Sequence, residues 1–404
     1  MQRKALSCLA ATLCMVSAMA RGEVAGVRIG VLNDQSGIYA DMGGKGSIEA
    51  ARLAVEDFTA ASAGANKGMK IEIISADHQN KADIGSAIAR EWYDQKGVDL
   101  IVDIPNSSVA LAVQAVAQDK GKLAIFSGAS SSDLTNAKCS PNSFAWTYDT
   151  YGLAKGTAGA LTRGAEDSWF FVTADYAFGQ ALERDAAAVV TAGKGKVIGS
   201  VRAPLDTPDY SSFLLKAQGS GAKYIGLANA GGDTITSIKQ AGEFGLTDGG
   251  QTLAGLVVYL TDVHALGLST ARGLLLTASF YWDLNDETRA WSKRFHERTN
   301  RMPTMVQAGV YSGVLHYLKA VSAAGTTDAM TVAGQMRKTP VKDMMTDNAV
   351  LREDGKLARD MYLFQVKSPA DSKAPWDYYK LVRRIPAGEV VRPLSESQCP
   401  LVRK

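Results

Sequence analysis

From Val27 onward the chain alternates short apolar runs with segments of helical spacing, and that alternation restricts it to one class of fold. Residues 27–32, 70–75, 98–103 and 123–127 have strand length and composition. Between them, Ile48, Ala51, Val55 and Phe58 recur every three or four positions, residues 82–94 read as a helix, and Val109, Ala112, Val113 and Val116 share one face. Strands this short, separated by helices, pair in parallel through crossover connections. The rhythm restarts after Tyr148, with helices predicted over 152–162, 179–191, 211–218 and 233–244. Strands are predicted over 168–173, 197–202, 223–229, 253–259 and 273–278, completing a second sheet.

The remainder is different. Helices over 286–299, 304–324 and 328–338 precede only two strands, 361–366 and 378–383. Helices without a sheet of their own must cover one that already exists, so this segment is expected to return to the first unit and then cross to the second. The predicted fold class is α/β, two doubly wound parallel-sheet lobes joined by three hinge strands. Lobe 1 would comprise 27–147 and 284–348, lobe 2 would comprise 148–283 and 349–385, and a tail, 386–404, would return to lobe 1. The crossings fall near 146–150, 279–283 and 348–353.

Composition narrows the partners. The chain has 404 residues, 44 Lys and Arg against 41 Asp and Glu, and a net charge of +3. Its length suits two domains, and so small a charge argues against nucleic acid. Residues 1–20 have the form of a secretory signal: Arg3 and Lys4, an apolar stretch over 5–18, and Ala18-Met19-Ala20, with cleavage expected after Ala20. Leu13 stands before Cys14 where a lipoprotein needs a small residue, so no lipid anchor is expected. Removal of the signal takes Cys8 and Cys14 and leaves Cys139 and Cys399. Two thiols in an exported chain most simply form one disulfide, here joining the tail to lobe 1. No run is long enough to span a bilayer.

Enzyme signatures do not match. Gly43-Gly44-Lys45-Gly46 has Tyr39 at the first glycine position of a P-loop and Gly46 in place of the Ser or Thr that would hold magnesium. Gly128-Ala129-Ser130 continues into Ser131 and Ser132 rather than forming a nucleophile elbow. His78, His264, His296 and His316 have no metal spacing among them, and His316 reads as a structural histidine on an apolar helix face. No cofactor and no metal are expected.

The chemistry gathers instead at strand ends, where ligands bind in open α/β sheets. Those ends read Asn33 to Tyr39, Asn106-Ser107-Ser108 and Ser127 to Ser132 in the first unit. In the second they read Asp175-Tyr176-Ala177-Phe178-Gly179 and Asn229-Ala230-Gly231-Gly232-Asp233. Small hydroxyl residues and glycine at helix starts donate to an anion without adding counter-charge, which suits a carboxylate. Ser107, Ser130 and the N–H groups from Ala129 onward are the expected grip. Tyr176, Phe178 and Tyr281 would wall an apolar body, with Asn229 or Asp233 selecting a polar substituent.

The signal sequence, the Ser36-Gly37 turn before a Gly-rich helix start, Asp175 to Gly179 and the two interleaved lobes resemble periplasmic binding proteins of the branched-chain amino acid ABC transporter type. The resemblance implies a Venus-flytrap monomer that closes on a small molecule and presents it to an inner-membrane permease. The family's carboxylate-binding serine falls on Asn106 or Ser107, its second carboxylate site on Gly128, Ala129 and Ser130, its second-lobe aromatic on Phe178, and the residue ending the next strand on Asn229. One feature departs from the pattern. Amino-acid binders place an acid after the following strand, and here 253–259 holds none before Asp262. An unpaired buried ammonium is costly, which favours a carboxylate without an α-amine, such as a small aromatic acid. A branched-chain or other amino acid in the same role, and a secreted α/β enzyme, are the alternatives.

Overall fold

The computed structural model describes residues 24–61, 68–246 and 249–403, so the signal sequence and its cleavage site lie outside the described residues. The first sheet is built from β1 (Gly26–Asn33), α1 (Gly44–Ala61), β2 (Lys70–Asp77), α2 (Ala82–Asp94), β3 (Leu100–Asp103), α3 (Ser107–Asp119), β4 (Leu123–Phe126) and β5 (Ser143–Ala145). Its strands run in the order β2-β1-β3-β4-β5, every pair parallel. β5 is too short to register as an apolar run and was not anticipated.

The chain then enters α4 (Thr150–Leu153), which continues through a π-helical turn, Ala154–Ala158, into α5 (Gly159–Leu161). The second parallel sheet follows: β6 (Ser168–Ala174), α6 (Ala177–Ala192), β7 (Lys196–Ala203), α7 (Ser211–Gly219), β8 (Tyr224–Ala228), α8 (Gly232–Glu243) and β9 (Thr252–Gly255). Its order is β7-β6-β8-β9. Two expectations are corrected here. The strand predicted over 253–259 stops at Gly255, because Asp262 accepts the N–H of Tyr259 at 2.9 Å and starts α9 (Leu260–Leu266) instead. After α10 (Leu268–Ala271), β10 (Leu275–Ala278) does not join the second sheet; its backbone pairs antiparallel with a strand near the end of the chain.

The next helices are α11 (Asp286–Thr299), α12 (Met305–Ala324) and α13 (Ala329–Lys338). Sixteen residues of α12 are buried, as a helix enclosed on nearly all sides requires. It packs on α1, and Arg294 and Arg298 of α11 pair with Asp57 at 2.7 Å and Glu56 at 2.6 Å of the same helix. The third helical segment therefore covers the first sheet. A small antiparallel unit of β11 (Val341–Asp343), β12 (Thr346–Leu351) and β13 (Leu357–Ala358) precedes β14 (Met361–Val366) and β15 (Tyr379–Ile385), which extend β10 into a three-stranded sheet. Just before α4, Lys356 pairs with the buried Asp149 carboxylate at 2.9 Å, while the other oxygen of Asp149 caps α4 by accepting the Gly152 N–H.

The tail begins with α14 (Ala387–Val390), which lies against α4. The Arg392 guanidinium stands 4.4 Å from the centre of the Tyr151 ring and 3.3 Å from Asp185 of α6. The Gln398 N–H then donates to Asn136 at 2.6 Å, and the expected disulfide joins Cys139 to Cys399.

Candidate functional site

The strand ends of the two sheets face one another and meet. On the first-lobe side the loop after β1 is folded by buried Asp34, whose carboxylate accepts the N–H groups of Gly37 (2.7 Å) and Tyr39 (2.9 Å) and the Asn80 amide (2.6 Å). This carries Ile38 and Tyr39 to the second lobe, where the Gly232 N–H donates to the Ile38 carbonyl at 3.2 Å. Gly231 is required at that contact. It has a φ of +57°, and a β-carbon there would come 2.6 Å from the Ile38 carbonyl oxygen.

Two tyrosine pairs bridge the cleft. The Tyr39 and Tyr176 hydroxyls are 2.5 Å apart, and so are those of Tyr148 and Tyr259. Tyr148 also donates to the Gly128 carbonyl at 2.8 Å. Tyr210 is buried beside Asp233, and burial raises the ionisation of all five phenols, so each stays neutral. Asp233 accepts from the N–H groups of Asp206 (3.2 Å) and Thr207 (3.1 Å); its carboxyl is pushed up to about 6 by burial. The site is thus a mostly neutral, phenol-lined cleft with two buried acids on the second-lobe side, Asp233 and, behind Tyr259, Asp262, which burial pushes up to about 7.

The residues picked from the sequence take varied places. Ser107 is buried, and its Oγ accepts the N–H groups of Ser130 (3.3 Å) and Ser131 (3.1 Å), leaving its own proton to donate. That corrects the expected backbone grip: the N–H groups of Ser130 and Ser131 are held by Ser107, and that of Ser132 by Thr150 at 3.0 Å. Gly128, Ala129 and Ser130 lie together on the floor, next to Tyr148. The Asn106 Oδ1 caps α3 by accepting the N–H groups of Ser108 and Val109, and both ends of the Asn229 amide are engaged, its oxygen by Thr234 and its nitrogen by Ser237. Phe178 is packed into the core on the first turn of α6, its ring 5.9 Å from that of Tyr176. Tyr281 does not close over the cleft. Its hydroxyl donates to the Trp376 carbonyl and receives the N–H groups of Tyr378 and Tyr379, fixing it in the β10-β14-β15 sheet.

Tyr148, Tyr210 and Tyr259 were not singled out from sequence. Tyr148 and Tyr259 follow strands β5 and β9, whose ends were respectively unrecognised and set too late, and the shift hid their position at the cleft.

The chain matches the profile of the periplasmic binding protein family over residues 26–373. It belongs to that family. Among solved structures, a periplasmic binding protein from Burkholderia mallei is 48% identical, with a TM-score of 0.90, covering 94% of this chain and 100% of that one. A branched-chain amino acid ABC transporter periplasmic ligand-binding protein from Burkholderia xenovorans is 40% identical, with a TM-score of 0.82, over 93% of this chain and 100% of that one. A solute-binding protein from R. palustris in complex with benzoate shares the fold at 19% identity, with a TM-score of 0.76, over 89% of this chain and 97% of that one. No curated protein matches. The protein is a periplasmic solute-binding component of the ABC-transporter type, with the type I fold of two parallel-sheet lobes. Its family implies a small-molecule ligand, a membrane permease as partner and a periplasmic location. No described helix is long and apolar enough to cross a membrane.

Proposed function

We propose that this binding protein captures a small aromatic carboxylate between its lobes and delivers it to an inner-membrane permease. The lobes are assigned as 27–147 with 284–348 and 148–283 with 349–385, the tail returning to the first, and residues 1–20 direct export and are removed by cleavage after Ala20. In this reading the Ser107 hydroxyl and the Gly128-Ala129-Ser130 loop receive the carboxylate. Tyr39, Tyr148, Tyr176 and Tyr259 flank the ring, and Asp233 with Tyr210 accepts a polar substituent.

The supporting observation is the phenol lining, with hydroxyls meeting across the lobes at 2.5 Å in two places. Aromatic faces favour a flat ring by about 0.5–1.5 kcal/mol beyond burial, and neutral hydroxyls leave the ligand's own charge to the serine loop. Asp233 favours a second reading. An acid on the second-lobe side could hold an ammonium, and the Burkholderia xenovorans relative is described as a branched-chain amino acid transporter protein. Calorimetric titration with benzoate, 4-hydroxybenzoate, leucine and valine separates the two. Preference for either benzoate supports the aromatic reading; preference for leucine or valine over both overturns it.

A further inference from the structure

Asp103 closes β3 at a φ of +87°, and Ile104 follows at +51°. Two successive residues with side chains thus occupy the left-handed region that favours glycine, a strain that persists only where the surroundings impose it. The first of them is an acid. Its side chain is fully buried; Oδ2 accepts from the Asn33 amide at 2.9 Å, and Oδ1 has no hydrogen-bond partner. No ion pair among the described residues includes it.

Its place explains why this matters. A β-carbon on Gly128 would lie 3.3 Å from Oδ1, so the carboxyl stands directly behind the loop that leads into Ala129 and Ser130. The groups around it are Asn33 from β1, Ser47 from α1 and Tyr148 from the segment after β5, and none is cationic. Among the described residues the titratable group that feels its charge is Tyr148, and burial keeps that phenol neutral. A charged Asp103 would therefore face an incoming anion without screening.

We propose that Asp103 makes carboxylate capture proton-linked: the closed cleft accepts the anion together with one proton taken from solvent onto the Asp103 carboxyl. The inference rests on the carboxylate lying at the Gly128 to Ser130 loop, which the aromatic and amino-acid readings share. Burial already pushes the Asp103 carboxyl up to about 6, so the group changes charge within an accessible pH range. A bound anion raises it further, and by linkage the anion then binds more weakly as pH rises.

Calorimetry with benzoate and leucine as probes, in buffers of different ionisation enthalpy, counts the protons taken up. Whichever carboxylate binds should take up about 0.8 of a proton near pH 7, and its affinity should fall about 25-fold between pH 6 and pH 8, as expected for about two units of pKa displacement. Benzamide, if bound, should show no such slope. Asp103→Asn should abolish both uptake and slope, whereas Asp286→Asn, at an exposed position at the start of α11, should keep them. If Asp103→Asn does not fold, Asn33→Ser, which removes a donor to the charged form, should move the midpoint of the slope to higher pH. Zero uptake in the unmodified protein, uptake persisting in Asp103→Asn, or an unmoved midpoint in Asn33→Ser overturns the proposal. Binding of leucine but not benzoate overturns the aromatic reading alone, and the difference in proton count between the unmodified protein and Asp103→Asn, which leaves any contribution of Asp233 unchanged, still decides this one. Failure of both carboxylates to bind overturns both.

Discussion

The hydroxyls of Tyr39 and Tyr176 meet at 2.5 Å, although one residue follows β1 in the first sheet and the other caps α6 in the second. This contact exists only while the strand ends of the two lobes face each other at close range. Tyr39→Phe and Tyr176→Phe should each weaken ligand binding. In a double-mutant cycle the pair should couple by about 0.5–1.5 kcal/mol, the net worth of one hydrogen bond. Calorimetric titration of the four proteins measures this, and additive single effects would show that the pair does not contribute to closure.

Asp185 is a second bridge. Its Oδ2 accepts from Ser132 at 2.7 Å and from Thr150 at 2.6 Å, and its Oδ1 faces Arg392 at 3.3 Å. Asp185→Ala removes these three partners and its pairing with Arg184 at 3.6 Å, and leaves Arg392 half-buried over Tyr151. A loss of about 2–3 kcal/mol is expected in urea unfolding, below the full cost of breaking a buried pair because Arg392 keeps access to water.

Phe178 separates packing from recognition. Buried on α6, it should cost about 3–5 kcal/mol of stability as Phe178→Ala, through lost burial and the cavity left behind. Its neighbour Tyr176, substituted by Phe, should leave the melting temperature close to that of the unmodified protein. Thermal unfolding without ligand distinguishes them.

His78 sets an acid limb. It is fully buried, with Nδ1 accepting the Asn80 N–H at 3.0 Å, and burial lowers its pKa to about 4. Because the folded pKa lies below the unfolded value of 6.5, the unfolded chain binds the proton first, and stability from this group is lost as pH falls from about 6.5 to about 4. Asp103 acts in the opposite direction, since its raised pKa makes its contribution fall as pH rises toward 6. The difference in stability between His78→Asn and the unmodified protein should therefore change by about 3 kcal/mol across that window, in favour of the variant at low pH. Urea titrations at stepped pH test it.

Much of the framework was legible because its signals are local. Residues 82–94, 286–299 and 361–366 form the elements expected of them, since helical spacing and strand-length apolar runs each bury one face whatever lies opposite. The errors arise where long-range pairing decides. β10 is apolar enough for either sheet, and only its antiparallel partner β14, more than eighty positions later, determines which it joins. The site was legible as a set of loops but not as a set of side chains. Asn106 and Asn229 carry the right atoms at the right strand ends, yet helix capping and the α8 side chains engage them first. Tyr148 and Tyr259 carry no motif, and their meeting depends on two crossings of the chain.

The bond between Cys139 and Cys399 should also be visible in bulk stability. Closing so long a loop restricts the unfolded chain, and Cys399→Ser should lower stability by up to roughly 5 kcal/mol on chain-entropy grounds. Thiol titration of the unfolded, unreduced protein should find no free group at these two positions.

That same bond turns residues 139–399 into a covalent ring, with the whole second sheet and every passage between the sheets inside its perimeter. A single peptide cut anywhere on the ring, for instance in the exposed turn at residues 369–373, leaves two pieces that cannot part until the sulfurs are reduced. Nicked protein would migrate as one species on a non-reducing gel and as two once reduced. The protein therefore has a built-in tolerance to proteolysis that neither lobe would have as an open chain.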